Sequence, residues 1–66
     1  MASYIAAGEL KTGTWFVDPR REGRRPARVI KLNGVHDGQV HVELDDETRF
    51  GPWVASYPET EQLELA

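Results

Sequence analysis

Apolar and polar residues alternate along much of this chain with a period of two, rather than the period of about 3.6 that a helix requires. The alternation is clearest over residues 39–44, where Val40, Val42 and Leu44 share one face and His41 lies on the other. We therefore expect a half-buried strand there, with its apolar face on the core. Elsewhere, short apolar runs separated by turn residues leave no room for a long helix.

Turn residues limit the neighbouring strands. Asp18-Pro19 ends the first strand, because proline has no N–H to donate to a ladder. Asn33-Gly34 and Asp37-Gly38 tolerate positive φ and predict a hairpin loop before residue 39. The strand before that loop is ambiguous, since either Val29 or Ile30 with Leu32 can face the core, and a bent strand buries both faces at different points.

The second half of the chain is predicted to be less regular. Gly51-Pro52 breaks or bulges the strand that begins at residue 48, and residues 55–59 are expected to form an irregular or single-turn connection. The five expected strands cover residues 13–17, 27–32, 39–44, 48–54 and 61–65. We expect one contiguous core containing Val40, Val42, Leu44, Leu63 and Leu65, with His41, Glu43 and Glu64 exposed.

A chain of 66 residues buries only about 60% of the surface that its unfolded form exposes, so we expect one domain. Residues 1–12 are expected to be an N-terminal arm and residues 13–66 the domain. The chain has no cysteine, which excludes disulfides and fits a reducing compartment. No export signal and no membrane-spanning run are visible, so a cytoplasmic location is expected, and the oligomeric state stays open.

The order of these elements resembles that of SH3-like small β-barrels, including Tudor-type and KOW-type modules. A glycine-led first strand, a long polar loop over residues 18–26, three hairpin-connected strands, a short turn at residues 55–57 and a brief last strand carry the resemblance across nearly the whole chain. It implies an all-β, five-stranded antiparallel barrel with an arginine-rich loop after the first strand. Function does not follow from such a fold.

The charges are unevenly distributed. Seven basic and three acidic residues precede Asp37, whereas one basic and eight acidic residues lie from Asp37 onward, and the net charge is -3. This asymmetry predicts one basic and one acidic surface. The basic residues concentrate in a loop bounded by Pro19 and Pro26 and hinged at Gly23, and the cluster comprises Arg20, Arg21, Arg24, Arg25 and Arg28, with Lys31 on the following strand.

Clustered guanidinium groups suit bidentate contacts with phosphate or carboxylate, so the partner is expected to be a nucleic acid or an acidic protein surface. The alternative is a solvated loop whose arginines pair with the protein's own acidic residues. Trp15, Trp53 and Tyr57, with Phe16, are candidate stacking platforms beside the loop. Core burial is the stronger alternative for them, because a chain with few aromatic residues uses most of them for packing.

Metal and catalytic sites are not expected. The acidic run Asp45-Asp46-Glu47 lacks the spacing of a cation-binding loop, and His36 and His41 have no zinc-site pattern. A chain this short offers little concavity in which to shift a pKa, unless a symmetric multimer builds a pocket. We therefore expect a small non-catalytic module without a cofactor, which binds nucleic acid through residues 19–28. The alternative is a protein-interaction module or accessory subunit that uses the same loop or the aromatic surface.

Overall fold

The computed structural model describes residues 2–20, 23, 25–48 and 51–66. The protein is all-β, and a 3₁₀ turn spans Ala7–Glu9. Six strands are present in the described part of the chain: β1 (Tyr4–Ala6), β2 (Trp15–Val17), β3 (Pro26–His36), β4 (Gln39–Asp45), β5 (Trp53–Pro58) and β6 (Gln62–Glu64).

All strand pairs are antiparallel, but they do not form the expected five-stranded barrel. Strands β2-β3-β4-β5 make one curled sheet, and β1 pairs with β6 in a second, two-stranded sheet. A bridge between Phe16 and Leu65 and a hydrogen bond from Ala66 N to Trp15 O join the two sheets. Strand β1 was not expected from the sequence, because a run of three residues is too short to give a pattern. It pairs with β6, near the other end of the chain.

Strand β4 confirms the alternation predicted over residues 39–44, because Val40, Val42 and Leu44 are all buried. In β3 the inward residues are Ala27 and Val29, which resolves the ambiguity of that strand. The register shifts between Val29 and Lys31, so Ile30 is the extra residue of a β-bulge.

The hairpin turn lies at Asp37-Gly38, where φ is 53° and 75°. Positive φ at both central residues is the geometry that matches the twist of two antiparallel strands. The prediction that Asn33-Gly34 also belongs to the loop is wrong. Those two residues lie inside β3 at a second register shift, and Gly34 has a φ of 95°. The Asn33-Gly34 dipeptide, which is typical of turns, therefore lies at a β-bulge inside the long strand β3.

The prediction of an irregular connection at residues 55–59 is also wrong. Residues 55–58 continue β5, and Ala55 and Tyr57 lie opposite Val42 and Val40 of β4. Pairing along the whole length of β4 therefore overrides the turn preference of Ser56 and Pro58. The strand expected to begin at residue 48 is not observed there: Thr48 lies in a bend, and Arg49 and Phe50 are outside the described residues.

The core lies between the two sheets. Leu65 and the residues expected to be exposed, His41, Glu43 and Glu64, are instead half-buried. Cross-strand neighbours partly cover two of these side chains, since His41 Nδ1 lies 2.7 Å from Ser56 Oγ and Glu43 faces Lys31. The buried apolar residues are Ala7, Leu10, Phe16, Ala27, Val29, Val40, Val42, Leu44, Tyr57 and Leu63.

Candidate binding surface

The arginine loop, residues 19–28, covers most of the connection between β2 and β3 and the first three residues of β3. Arg21 and Arg24 lie outside the described residues, so the structure places Arg20, Arg25 and Arg28 of the predicted cluster. Gly23 has a φ of 79°, a conformation that glycine adopts without strain. The three described arginines have different surroundings.

Arg20 is held at the first end of the loop. Its Nη2 lies 3.3 Å from Glu61 Oε1, and its guanidinium sits 4.6 Å from the centroid of the Tyr57 ring. The backbone N–H of Arg20 donates to Asp18 Oδ1 at 3.0 Å, which fixes the turn at Pro19. Arg20 is therefore engaged by the protein itself.

Tyr57 and Asp18 lie beneath this contact. Tyr57 is fully buried and Asp18 is 3% exposed. Burial, followed by the neighbouring Asp18 carboxylate, raises the pKa of Tyr57 well above its ordinary value. Among the described residues, no atom meets hydrogen-bond geometry with the hydroxyl, although the Asp18 carboxylate is close enough to raise its pKa. Tyr57 therefore packs in the core, which is the alternative that the sequence favours for the aromatic residues.

Arg28 is held at the other end of the loop. Its Nη1 lies 3.0 Å from Glu47 Oε1, its Nη2 lies 3.7 Å from Asp45 Oδ2, and its guanidinium is 5.5 Å from the centroid of Trp15. Trp15 is half-buried and lies directly opposite Arg28 across the β2-β3 pair, so both side chains project from the outer face of the sheet.

Lys31 and Trp53 occupy opposite faces of the sheet. Lys31 Nζ lies 4.0 Å from Glu43 Oε2 on the outer face, which also carries Trp15 and Arg28. Trp53 lies opposite Leu44 and packs partly buried against the core. The structure thus brings together three predicted site residues, Trp15, Arg28 and Lys31, and leaves Trp53 on the inner face.

The predicted separation into one basic and one acidic surface is not observed at these positions. Arg20, Arg28 and Lys31 each face a carboxylate from the acidic half of the chain. For Arg28 and Lys31, antiparallel pairing of β3 with β4 produces this arrangement, because it aligns basic residues of one strand with acidic residues of the next. Arg25 differs from these three: it is exposed, and no carboxylate among the described residues pairs with it.

An open groove beside the loop was not anticipated from the sequence. It has a volume of about 440 Å³, and Tyr4, Val17, Pro19 and Leu63 form much of its lining. Tyr4 is 58% exposed, which makes it an accessible aromatic residue next to the arginine loop. No sequence signal placed it there, because Tyr4 reaches the loop only through the pairing of β1 with β6.

Within the described part of the chain, no three His, Asp or Glu residues are grouped so that they could hold a metal ion. No helix among those residues is long and apolar enough to cross a bilayer. No protein-family model matches the chain, and none of the curated proteins is similar to it in sequence.

Proposed function

We propose that this chain is a small non-catalytic binding module that uses Arg25, the residue just before β3, to bind a short acidic segment of another protein. The proposal rests on the difference between Arg25 and the two described arginines on either side of it in the sequence. Arg20 and Arg28 are neutralised by the protein's own carboxylates, whereas Arg25 is exposed. The exposed guanidinium of Arg25 is therefore available for an external carboxylate.

The charge around the loop favours a short ligand. Glu61 lies at one end of the loop, and Glu47 with Asp45 at the other. An extended phosphate backbone that crosses the loop would meet these carboxylates on both sides, and the net charge of -3 adds repulsion at longer range. A short acidic segment can contact Arg25 alone. The groove that Tyr4 and Pro19 line could receive apolar flanking residues of the ligand, but Glu64 also lines it and disfavours acidic residues there.

Binding of single-stranded nucleic acid is a second candidate, and one observation favours it. Trp15, Arg28 and Lys31 share the outer face of the sheet, which combines an aromatic ring with two cations. Phosphates would have to displace Asp45, Glu47 and Glu43. Exposed ion pairs contribute only about 0–1 kcal/mol each, so this displacement is feasible.

We also propose that the two sheets together form an SH3-like half-barrel. The bridge between Phe16 and Leu65 supports it, because it connects β2 to β6 and makes the strand order β1-β6-β2-β3-β4-β5 continuous. The long loop between β2 and β3 has the position that the resemblance implies.

Binding titrations with two defined probes test the function. We expect the protein to bind an oligoglutamate peptide and to bind a single-stranded oligonucleotide of equal charge more weakly. Arg25→Ala should weaken peptide binding about fivefold, the loss of roughly one charge-assisted contact, while Arg25→Lys should weaken it less. Lys11→Ala is the matched control, since Lys11 is exposed and distant from the loop in sequence.

The outcomes separate the two candidates. Stronger binding of the oligonucleotide, reduced by Trp15→Ala and Lys31→Ala but not by Arg25→Ala, would establish the nucleic-acid function instead. Equal losses in Arg25→Ala and Lys11→Ala would show that only net charge matters. Absence of binding to either probe at low salt would refute both candidates for this loop.

A further inference from the structure

Strand β5 is the terminal strand of the four-stranded sheet, and one of its edges carries unpaired backbone groups. Glu59 N donates to Gly38 O at 2.9 Å. This bond continues the register of β4 and β5 by one residue pair beyond Gln39 and Pro58. Backbone groups in an antiparallel ladder alternate in direction, so Tyr57, Ala55 and Trp53 bond to β4. The N–H and C=O groups of Val54 and Ser56 therefore point away from the sheet.

This edge is protected at its two ends but not between them. Terminal strands in native proteins are commonly blocked by lysine, by proline, by a bulge or by a covering segment. Pro52 and Pro58 block the ends of β5 here. Between them the strand contains no charged residue, and Val54 is 71% exposed. The 3₁₀ turn covers only the end of β5, where Gly8 N donates to Glu59 O at 2.8 Å.

We propose that this edge pairs with the same edge of a second copy of the chain. Two β5 strands would lie antiparallel about a two-fold axis at Ala55, so that Val54 of each copy faces Ser56 of the other. Each such pair exchanges two hydrogen bonds and uses every outward donor and acceptor of both residues. Pro52 and Pro58 then face one another just outside the paired segment, where neither has an N–H to donate.

Charge favours a second copy as the occupant of this edge. The chain carries a net charge of -3, so most faces of two copies repel each other, whereas β5 is uncharged. The neighbouring outer-face residues are also neutralised or bonded, since Glu43 pairs with Lys31 and His41 bonds to Ser56. An isologous pairing therefore places no like charges opposite one another at the contact.

The size of the contact sets its strength. A pairing of two six-residue strands is smaller than the roughly 1,200–2,000 Å² that stable complexes bury. The dimer is therefore weak and forms at high protein concentration. This association uses the outward residues Val54 and Ser56, whereas the arginine loop contacts β5 at Tyr57, which is buried.

Sedimentation equilibrium tests the proposal with the whole chain. The weight-average mass should rise from the monomer value of 7.5 kDa toward twice that value between about 10 µM and about 1 mM, the range expected of a small interface. Val54→Pro should remain monomeric throughout, because it removes an outward N–H and leaves the ladder with β4 intact. Val54→Thr is the matched control and should associate like the wild type, since it keeps that N–H.

Amide hydrogen exchange on the wild type gives a second measurement that needs no variant. The amides of Val54 and Ser56 should exchange more slowly as concentration rises, while that of Tyr57, which faces β4, should be protected at every concentration. A wild type that stays monomeric at about 1 mM, or one that dimerises without protecting Val54 and Ser56, overturns the proposal. Dimerisation of a folded Val54→Pro variant would overturn it equally.

Discussion

At Tyr57 the aromatic ring and its hydroxyl have different surroundings. The Tyr57 and Phe16 rings make an edge-to-face contact with centroids 5.8 Å apart, and the Arg20 guanidinium lies 4.6 Å from the Tyr57 centroid. The hydroxyl is buried near Asp18 without a hydrogen bond of acceptable geometry. The ring therefore stabilises the fold through burial and aromatic contact, and the hydroxyl adds little.

The raised pKa of Tyr57 predicts a loss of stability in alkali. The ordinary tyrosine pKa is 10.0, and the folded protein holds Tyr57 protonated above that value. Above pH 10 the unfolded chain therefore releases a proton that the folded state keeps, and the free energy of unfolding falls by up to about 1.4 kcal/mol per pH unit. Below pH 10 this contribution is fully present. Urea unfolding measured from pH 8 to pH 11 checks the prediction.

Two variants separate the hydroxyl from the ring. Tyr57→Phe should change stability by less than about 1 kcal/mol at neutral pH, because no good hydrogen bond is lost, and it should remove the Tyr57 part of the alkaline loss. Tyr4→Phe is the matched control, since Tyr4 is 58% exposed, and it should leave the alkaline loss in place. An unchanged pH profile in Tyr57→Phe would contradict this account.

Among the strands, β3 is the one whose path depends on two register shifts. It runs for eleven residues with two register shifts, contacts the core at Ala27 and Val29, and then extends beside Val42 and Val40 of β4 to the hairpin turn. Leu32 and Val35 lie on that extension and are 44% and 56% exposed. The second shift requires Gly34, whose φ of 95° is unfavourable for any residue with a Cβ.

Gly34→Ala should destabilise the protein by about 1–2 kcal/mol through backbone strain alone. Steric overlap does not contribute, because no atom lies within 4 Å of the position a Cβ would take. Asn33→Ala is the control in the same bulge and should have an effect of less than about 0.5 kcal/mol. Thermal unfolding of both variants is the measurement. Equal effects of the two substitutions would show that backbone conformation at Gly34 is not limiting.

The elements that sequence predicted well are those with local signals. Strand β4 follows from alternation, and the turn at Asp37-Gly38 follows from residues that accept positive φ. Strand β5 was missed in part because its residues form a strand through pairing with β4, which is not a local property. For the same reason β1 was not found, since its partner β6 lies at the other end of the chain.

Over the whole molecule, the arrangement of charge was the least predictable property. The sequence indicates a basic half and an acidic half, and the fold interleaves them, so that four ion pairs among the described residues join the two halves. The described part of the expected arginine site is thereby divided into the paired Arg20 and Arg28 and the exposed Arg25. Composition reports how many charges a chain has, whereas strand register determines which charges meet.

This arrangement predicts that salt destabilises the protein. Between about 0.01 M and 0.1 M sodium chloride the screening length falls from roughly 30 Å to roughly 10 Å, which weakens attraction between partly exposed charges. We expect the free energy of unfolding to fall by about 1 kcal/mol, a fraction of a kcal/mol for each of the four pairs. Chloride suits the measurement because sulfate would also strengthen apolar burial.

Arg28→Ala should flatten this salt dependence, because it removes the contacts with both Asp45 and Glu47. Arg25→Ala removes the same charge from an exposed position without a carboxylate partner among the described residues, so it should retain the wild-type slope. Urea midpoints at each salt concentration give the comparison. Stability that rises with salt in the wild type would show instead that repulsion from the net charge of -3 dominates. Identical slopes in both variants would show that the attraction does not arise from the specific pairs that the fold creates.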